Sequence, residues 1–238
     1  LQEIITAIDL GSKKLSATIA VKDKNDELEI LYTKSSKSSG IEKGIITDIV
    51  KCREALEKLL KELEEKTKRD IKNITVGISS RELRITETTV KIDLKDGKVT
   101  KESLSYGLNK SKNNFALSSE ETIIDEIINF YIINNQVVYK DILNWKADSL
   151  EMNLTLIIGN KKEINKYYEL FKDTKYVLSD IKSNIVTGKQ IFLNEKKYDG
   201  ETVLVDIGAG EIDLAVFDNA SILKCMSSIP VGGNNISN

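Results

Sequence analysis

Residues 5–19 read ITAIDLGSKKLSATI, and residues 202–217 read TVLVDIGAGEIDLAVF. Laid together at an offset of 197 residues, Asp9 meets Asp206, Gly11 meets Gly208, Ser12 meets Ala209, Leu15 meets Ile212 and Ile19 meets Val216. Each copy is an apolar strand ending in Asp, an Asp-x-Gly turn and a second apolar strand, which predicts a β-hairpin. A supersecondary unit repeated near the two ends of a chain predicts two related half-domains that share a cleft. Glycine lets the backbone approach a bulky anion, and consecutive N–H groups in such a turn form an anion-binding nest. The two Asp residues bring two carboxylates to the cleft, and Mg²⁺ commonly bridges carboxylates to phosphates while keeping most of its waters. Lys13 or Lys14 supplies a cation for phosphate oxygens, and Ser12 supplies a hydroxyl donor. One Asp-x-Gly turn is an ordinary hairpin feature. Two copies, the second with Gly208-Ala209-Gly210, point to a phosphate site.

Outward from the first hairpin, the pattern predicts a third strand near residues 28–33 after a polar turn at 23–26. A Ser/Lys loop (34-KSSKSSG-40) and a short strand at 44–46 follow. Thr47 or Asp48 caps a helix over about 48–66 whose apolar residues Ile49, Cys52, Leu56, Leu59, Leu60 and Leu63 share one face. That spacing makes Cys52 a core residue. Residues 73–78 form a buried-type strand. Residues 83–94 alternate but change parity between Ile85 and Val90, which predicts a bulge or turn. Thr100 caps a short helix to about residue 112. Residues 119–133 are ambiguous, because Ser119-Glu120-Glu121 resembles a cap and the isoleucines are helically spaced, yet so many isoleucines favour strand. Strands at 150–159, 176–181 and 202–207, with helices at about 161–172 and 183–193, complete an α/β chain containing an insertion.

Composition removes several classes of function. The 238 residues contain no histidine, which excludes Ser-His-Asp and Cys-His catalysis and any His-bearing zinc site. The two cysteines, Cys52 and Cys225, have no C-x-x-C spacing and fit a reducing compartment. A net charge of −2 with only four arginines (Arg53, Arg69, Arg81, Arg84) argues against nucleic acid as a partner. No run of 18 apolar residues and no signal-peptide pattern is present in the sequence.

With these residues in view, the chain resembles a known family. Asp9-x-Gly11-Ser12-x-Lys14 after an opening strand, and Asp206-x-Gly208-x-Gly210-x-x-Asp213 far downstream, are similar to the phosphate-binding motifs of the actin-like ATPase superfamily. Actin, sugar kinases and heat-shock chaperone ATPases share them. Within that superfamily the chain looks most like the FtsA family of bacterial cell-division proteins, through 40-GIEKGIITD-48 and 229-IPVGGNNIS-237. The resemblance implies an α/β, actin-like ATPase (ribonuclease H-like) domain with an inserted strand-helix-strand-strand subdomain. It divides the chain into domain 1A (1–79), an inserted subdomain 1C (80–158), the rest of 1A (159–200) and the opening hairpin of a second, truncated actin-like domain (201–238). It also makes residues 121–133 a strand.

The resemblance further implies ATP and Mg²⁺ as cofactors. Asp9 would hold the hydrated metal, Asp206 would orient metal-bound or attacking water, and Gly11, Ser12, Lys13 and Lys14 would line the β/γ-phosphates, with Lys14 the counterpart of the phosphate-touching lysine. Gly208, Ala209 and Gly210 would form the opposing turn, Asp213 would hydrogen-bond it, and Gly232 and Gly233 would lie on the hinge side. The water-positioning Glu or Gln of the superfamily has Gln190 as its candidate here. The implied protein is at most a weak ATPase. It would self-associate into filaments and anchor an FtsZ-like tubulin homologue, with other division proteins meeting the insert. Its place would be the cytoplasmic face of the membrane at the division site. The adenosine motif and the membrane-targeting amphipathic helix of that family would lie beyond Asn238, so this chain alone is expected to bind nucleotide poorly. Three other readings stand beside this one: a PilM-like adaptor of type IV pilus assembly, a sugar kinase, and an interaction module without nucleotide. The kinase reading is disfavoured because residues 15–21 are strand core rather than substrate-binding polar residues.

Overall fold

The computed structural model describes residues 3–24, 27–192 and 200–236. Three expected features reach beyond these: the turn residues Asn25 and Asp26, the last helical residue Leu193, and Ser237 of the segment after the second motif. The chain forms two compact units, Leu1–Glu82 with Lys161–Asn238, and Leu83–Asn160.

The first unit opens with a meander of β1 (Glu3–Leu10), β2 (Lys14–Lys22) and β3 (Leu28–Lys37). Period-two burial places Leu15, Ala17, Ile19 and Val21 inward. The outward residues form cross-strand hydroxyl pairs, Ser16 with Ser35 at 2.8 Å and Thr18 with Thr33 at 3.0 Å. These pairs carry β3 to Lys37, so 34–37 is strand and not the loop that its Ser/Lys composition suggests. The short strands β4 (Ile41–Glu42) and β5 (Ile45–Ile46) pair with each other. Asp48 caps α1 (Ile49–Thr67) by accepting from the Lys51 N–H at 3.0 Å. The helix buries Cys52, Leu56, Leu59, Leu60 and Leu63, the face its spacing predicts. Burial pushes the Cys52 thiol up to about 12, the behaviour of a packing residue and not of a nucleophile. β6 (Asn73–Ile78) then runs parallel to β1.

The second unit is a four-stranded sheet with one helix. In chain order it contains β7 (Leu83–Asp93), α2 (Lys101–Asn114), β8 (Glu121–Ile133), β9 (Gln136–Val138) and β10 (Ser149–Asn160). The sheet order is β7-β10-β8-β9. Residues 121–133 are therefore strand. Pairing with β10 along the whole of β8, and an Asn134-Asn135 turn with both φ positive that closes the β8–β9 hairpin, outweigh the local helical spacing. The bulge expected in β7 is absent, because its pairing with β10 is unbroken from Leu83 to Asp93. Ile85 and Val90 simply point to opposite faces. Leu104 and Leu108 of α2 pack on a core that includes Val90, Ile92, Met152 and Leu154. Thr100 and Ser103 form a capping box at the start of α2. Thr100→Ala is expected to cost about 1 kcal/mol, read as a lower urea midpoint with an unchanged slope.

The chain returns to the first unit with α3 (Lys161–Phe171), β11 (Val177–Ser183), α4 (Asn184–Phe192), β12 (Thr202–Ile207), β13 (Ile212–Phe217), β14 (Leu223–Ile229) and α5 (Gly233–Ile236). β11 lies parallel to β6 and completes a five-stranded sheet of order β11-β6-β1-β2-β3. β12, β13 and β14 form a second antiparallel meander. A meander extended by two parallel strands on its first-strand side is the ribonuclease H-like arrangement expected from the sequence.

Candidate functional site

The repeat is reproduced in the hydrogen-bonding register. In the first hairpin Leu10 pairs with Leu15 and Asp9 with Ser16. In the second, Ile207 pairs with Ile212 and Asp206 with Asp213, the same positions at the same offset. The turns match as well. A Cβ built on Gly11 would lie 2.9 Å from the Lys14 carbonyl oxygen, and one on Gly208 would lie 3.1 Å from that of Glu211. At Gly11 the turn leaves no ordinary room for a side chain, and at Gly208 a methyl would need the Glu211 carbonyl to yield by a few tenths of an ångström.

The two turns line one cavity of about 560 Å³ together with Ser79 and Asn184. Asp9 to Lys14 come from the first hairpin, and Asp206 to Glu211 with Asp213 come from the second. The parallel strands β1, β6 and β11 point their carboxyl ends at it, where open α/β sheets bind ligands. The Ser12 hydroxyl accepts from the Gly44 N–H at 2.9 Å, which leaves its own proton free to donate. Ser12 also packs on the backbone of Gly210, where a Cβ would come within 2.9 Å of the hydroxyl. Lys13 and Lys14 are exposed at the cavity wall.

Ten of the thirteen residues singled out from the sequence line this cavity: Asp9, Gly11, Ser12, Lys13, Lys14, Asp206, Gly208, Ala209, Gly210 and the motif-closing Asp213. Gly232 and Gly233 do not line it. They lie behind the second turn, where the Gly233 N–H donates to the Gly208 carbonyl at 2.9 Å and the Asn234 N–H to that of Ala209 at 2.9 Å. Gln190 is exposed and is not among the lining residues. The residue of α4 that does reach the cavity is Asn184, whose Nδ2 donates to Asp9 Oδ1 at 2.8 Å. The sequence hides it, because the two residues are 175 apart and nothing in 183-SNIV-186 distinguishes one polar helix start from another. Asp213 accepts from the Ser80 N–H, at 3.2 and 3.3 Å to its two oxygens, so it ties the second hairpin to the end of β6 and not to its own turn. Beside it, Glu211 accepts from the Ser79 hydroxyl at 2.6 Å.

Burial raises the Asp9 carboxyl above its ordinary value. The Asn184 hydrogen bond opposes the rise, the Asp206 charge adds to it and Lys14 opposes it. Two carboxylates of one cavity that repel each other fit a shared cation. Among the described residues no group of three or more His, Cys, Asp or Glu could hold a metal. The oxygen donors that the lining offers, the Asp9 and Asp206 carboxylates, are of the kind a hard cation takes.

Burial also raises Glu211 and Asp213. A carboxyl whose folded pKa lies above its unfolded value binds its proton more tightly when folded. Its contribution is therefore most favourable at low pH and declines as pH rises from the unfolded value through the raised one. Glu211→Gln removes one such group while keeping an acceptor for Ser79. The stability of this variant relative to the parent is expected to increase steadily from pH 4 to pH 7 in urea melts. A constant difference across that range would contradict the assignment.

Comparison with known proteins follows the same line. No family model matches the chain. It is 24% identical over 233 residues to the cell division protein FtsA of Neisseria meningitidis serogroup B, covering 98% of this chain and 56% of that protein. It is 22% identical over 236 residues to FtsA of Bacillus subtilis, covering 98% and 53%. The chain thus spans little more than half the length of the curated relatives it matches. Among solved structures it is similar to the PilM-PilN type IV pilus biogenesis complex, with TM-score 0.62, 11% identity and coverage of 98% of this chain and 63% of that one. It is also similar to the ethanolamine utilization protein EutJ of Carboxydothermus hydrogenoformans, with TM-score 0.53, 10% identity and coverage of 99% and 54%. At these identities the structures speak for the fold alone. Along nearly its whole length the chain resembles the N-terminal portion of the cell division protein FtsA, and its fold is that of the actin-like ATPases.

Proposed function

We propose that this chain is the phosphate-binding half of an FtsA-type cell-division protein that binds ATP with Mg²⁺. The observation that carries the reading is the pair of hairpins in identical register whose turns line one cavity. In this reading Gly11 to Lys14 receive the β- and γ-phosphates, with backbone N–H groups and the two lysines neutralising their charge. Gly208 to Gly210 close on the same phosphates from the second hairpin. Asp9 and Asp206 hold the cation through its waters, and the cation when bound neutralises phosphate charge. In this reading the residue of α4 that serves the cavity is Asn184 at the helix head, and not Gln190, the water-positioning candidate that the family resemblance offers near the end of that helix. The lining's carboxylates, glycines, lysines and hydroxyls bind and position in this reading, which suits a nucleotide-dependent scaffold with slow hydrolysis at most.

The units divide in the same reading into domain 1A with the opening hairpin of a second actin-like domain, and the inserted subdomain 1C at Leu83–Asn160. The whole protein would polymerise, meet an FtsZ-like tubulin homologue and other division proteins, and work at the cytoplasmic face of the membrane. The direct test is titration of a fluorescent ATP analogue into the full-length protein with Mg²⁺ and with EDTA. Saturable binding that requires Mg²⁺ and is displaced by ATP is the expected result. No binding in either condition would overturn the reading.

A further inference from the structure

Asp9 stands at the end of β1, directly beside Gly77 of the neighbouring parallel strand β6. One strand further out, β11 ends at Ser183, and Asn184 begins α4. The Asn184 side chain reaches back across the middle strand to Asp9, where Nδ2 donates to Oδ1 at 2.8 Å. This crossing is open only because residue 77 is glycine. A Cβ there would lie 1.9 Å from Asn184 Oδ1 and 3.0 Å from its Cγ. Among the described residues Asn184 is the one hydrogen-bond partner of the Asp9 side chain, so Oδ2 has no protein partner, and Asp9 lines the cavity.

We propose that Asn184, seated over Gly77, is a positioning residue that holds Asp9 through one carboxylate oxygen and so presents the other to a cation-bound nucleotide. The proposal rests on the nucleotide reading above and adds to it the device that aims Asp9. An amide suits the task. It donates to a carboxylate without adding a further negative charge to a cavity that already holds Asp9 and Asp206. A carboxylate in place of Asn184 would lose the donor and repel Asp9. A freely rotating Asp9 would have to be ordered when the cation binds, and a side chain already fixed avoids that loss of rotamer freedom.

The test uses the full-length protein and three variants, N184A, G77A and the double G77A/N184A. Two quantities are read: the factor by which Mg²⁺ tightens ATP binding over EDTA, and the melting temperature without nucleotide. In N184A the Mg²⁺ factor is expected to fall about tenfold, the scale of a lost hydrogen bond to a charged group. ATP binding in EDTA should hardly change. G77A is expected to lose the same factor, because the added methyl displaces Asn184, and also to melt lower through overpacking. In the double variant the space left by the amide admits the methyl, so the melting temperature should recover while the Mg²⁺ factor stays lost. That split is one that a merely structural role for Asn184 would not produce. An unchanged Mg²⁺ factor in N184A, or its return in the double variant, would overturn the proposal while leaving nucleotide binding intact. A parent protein without Mg²⁺-dependent binding would overturn the nucleotide reading itself, and this inference with it.

Discussion

Asp9→Ala and Asp206→Ala in the full-length protein are each expected to weaken Mg²⁺-dependent ATP binding by about 100-fold, with filament formation lost in parallel. Each carboxylate is read as a water-mediated anchor for the cation. A hydrogen bond involving a charged group contributes roughly 1.5–3 kcal/mol, and every 1.4 kcal/mol is about tenfold in affinity. The two variants should differ in stability. Asp206 is exposed, so its removal should leave the melting temperature unchanged. Asp9 is half-buried and carries a raised pKa caused first by burial, so alanine there removes a poorly solvated charge but strands the Asn184 amide. Asp9→Asn separates these effects, since it keeps an acceptor for Asn184 and loses only the charge. If it loses Mg²⁺-dependent binding as fully as alanine does, charge is the requirement. If Mg²⁺-dependent nucleotide binding and polymerisation are unchanged in Asp9→Ala and Asp206→Ala, the two carboxylates do not anchor the cation and this reading of the site fails.

Gly40→Ala is expected to destabilise the first unit by about 3 kcal/mol. The left-handed conformation costs an L-residue roughly 1–2 kcal/mol, and forcing a methyl into packed space adds roughly 1–3 kcal/mol. Gly40 has φ +72, and a Cβ there would stand 2.2 Å from the Asp48 carbonyl oxygen and 2.9 Å from the Cys52 nitrogen. Both atoms belong to the first hydrogen bond of α1, the Cys52 N–H to the Asp48 carbonyl at 3.1 Å. Neither can move without loosening the start of the helix that buries Leu56, Leu59, Leu60 and Leu63. At this chain size the loss corresponds to a melting temperature lower by roughly 10 °C. Gly44→Ala is the comparison. Gly44 also has positive φ, but its Cβ would meet the carboxylate of Glu211, the end of a side chain that can turn away. It should destabilise less. Equal losses would mean that the clash with α1 is not what Gly40 avoids.

These two glycines give a physical content to the stretch 40-GIEKGIITD-48, which the sequence offers only as a resemblance. Gly40, Lys43 and Gly44 all carry positive φ, and the segment both caps α1 and delivers the Gly44 N–H to Ser12. A similar conversion holds for β8. Its isoleucines carry a helical spacing, and local sequence leaves helix and strand open. The register with β10 and the Asn134-Asn135 hairpin decide for strand. β3 shows the opposite error, where Ser and Lys at 34–37 read as loop until the Ser16–Ser35 and Thr18–Thr33 pairs make them strand.

What the sequence determines by itself is whatever depends on neighbours within a few residues. The two hairpins are legible because strand, turn and strand are contiguous, and period two with an Asp-x-Gly turn leaves little alternative. The buried face of α1 is legible for the same reason at period 3.6. From the repeat alone, Asp9 and Asp206 can be named as partners although their interaction is tertiary. The tertiary structure alone decides which residues from other elements complete the cavity. Asn184 reaches Asp9 across Gly77 from 175 residues away, Asp213 is held by the Ser80 N–H, and Gln190 falls outside. Those contacts depend on strand order and on the absence of one Cβ in the strand between, and neither leaves a periodic trace in the chain.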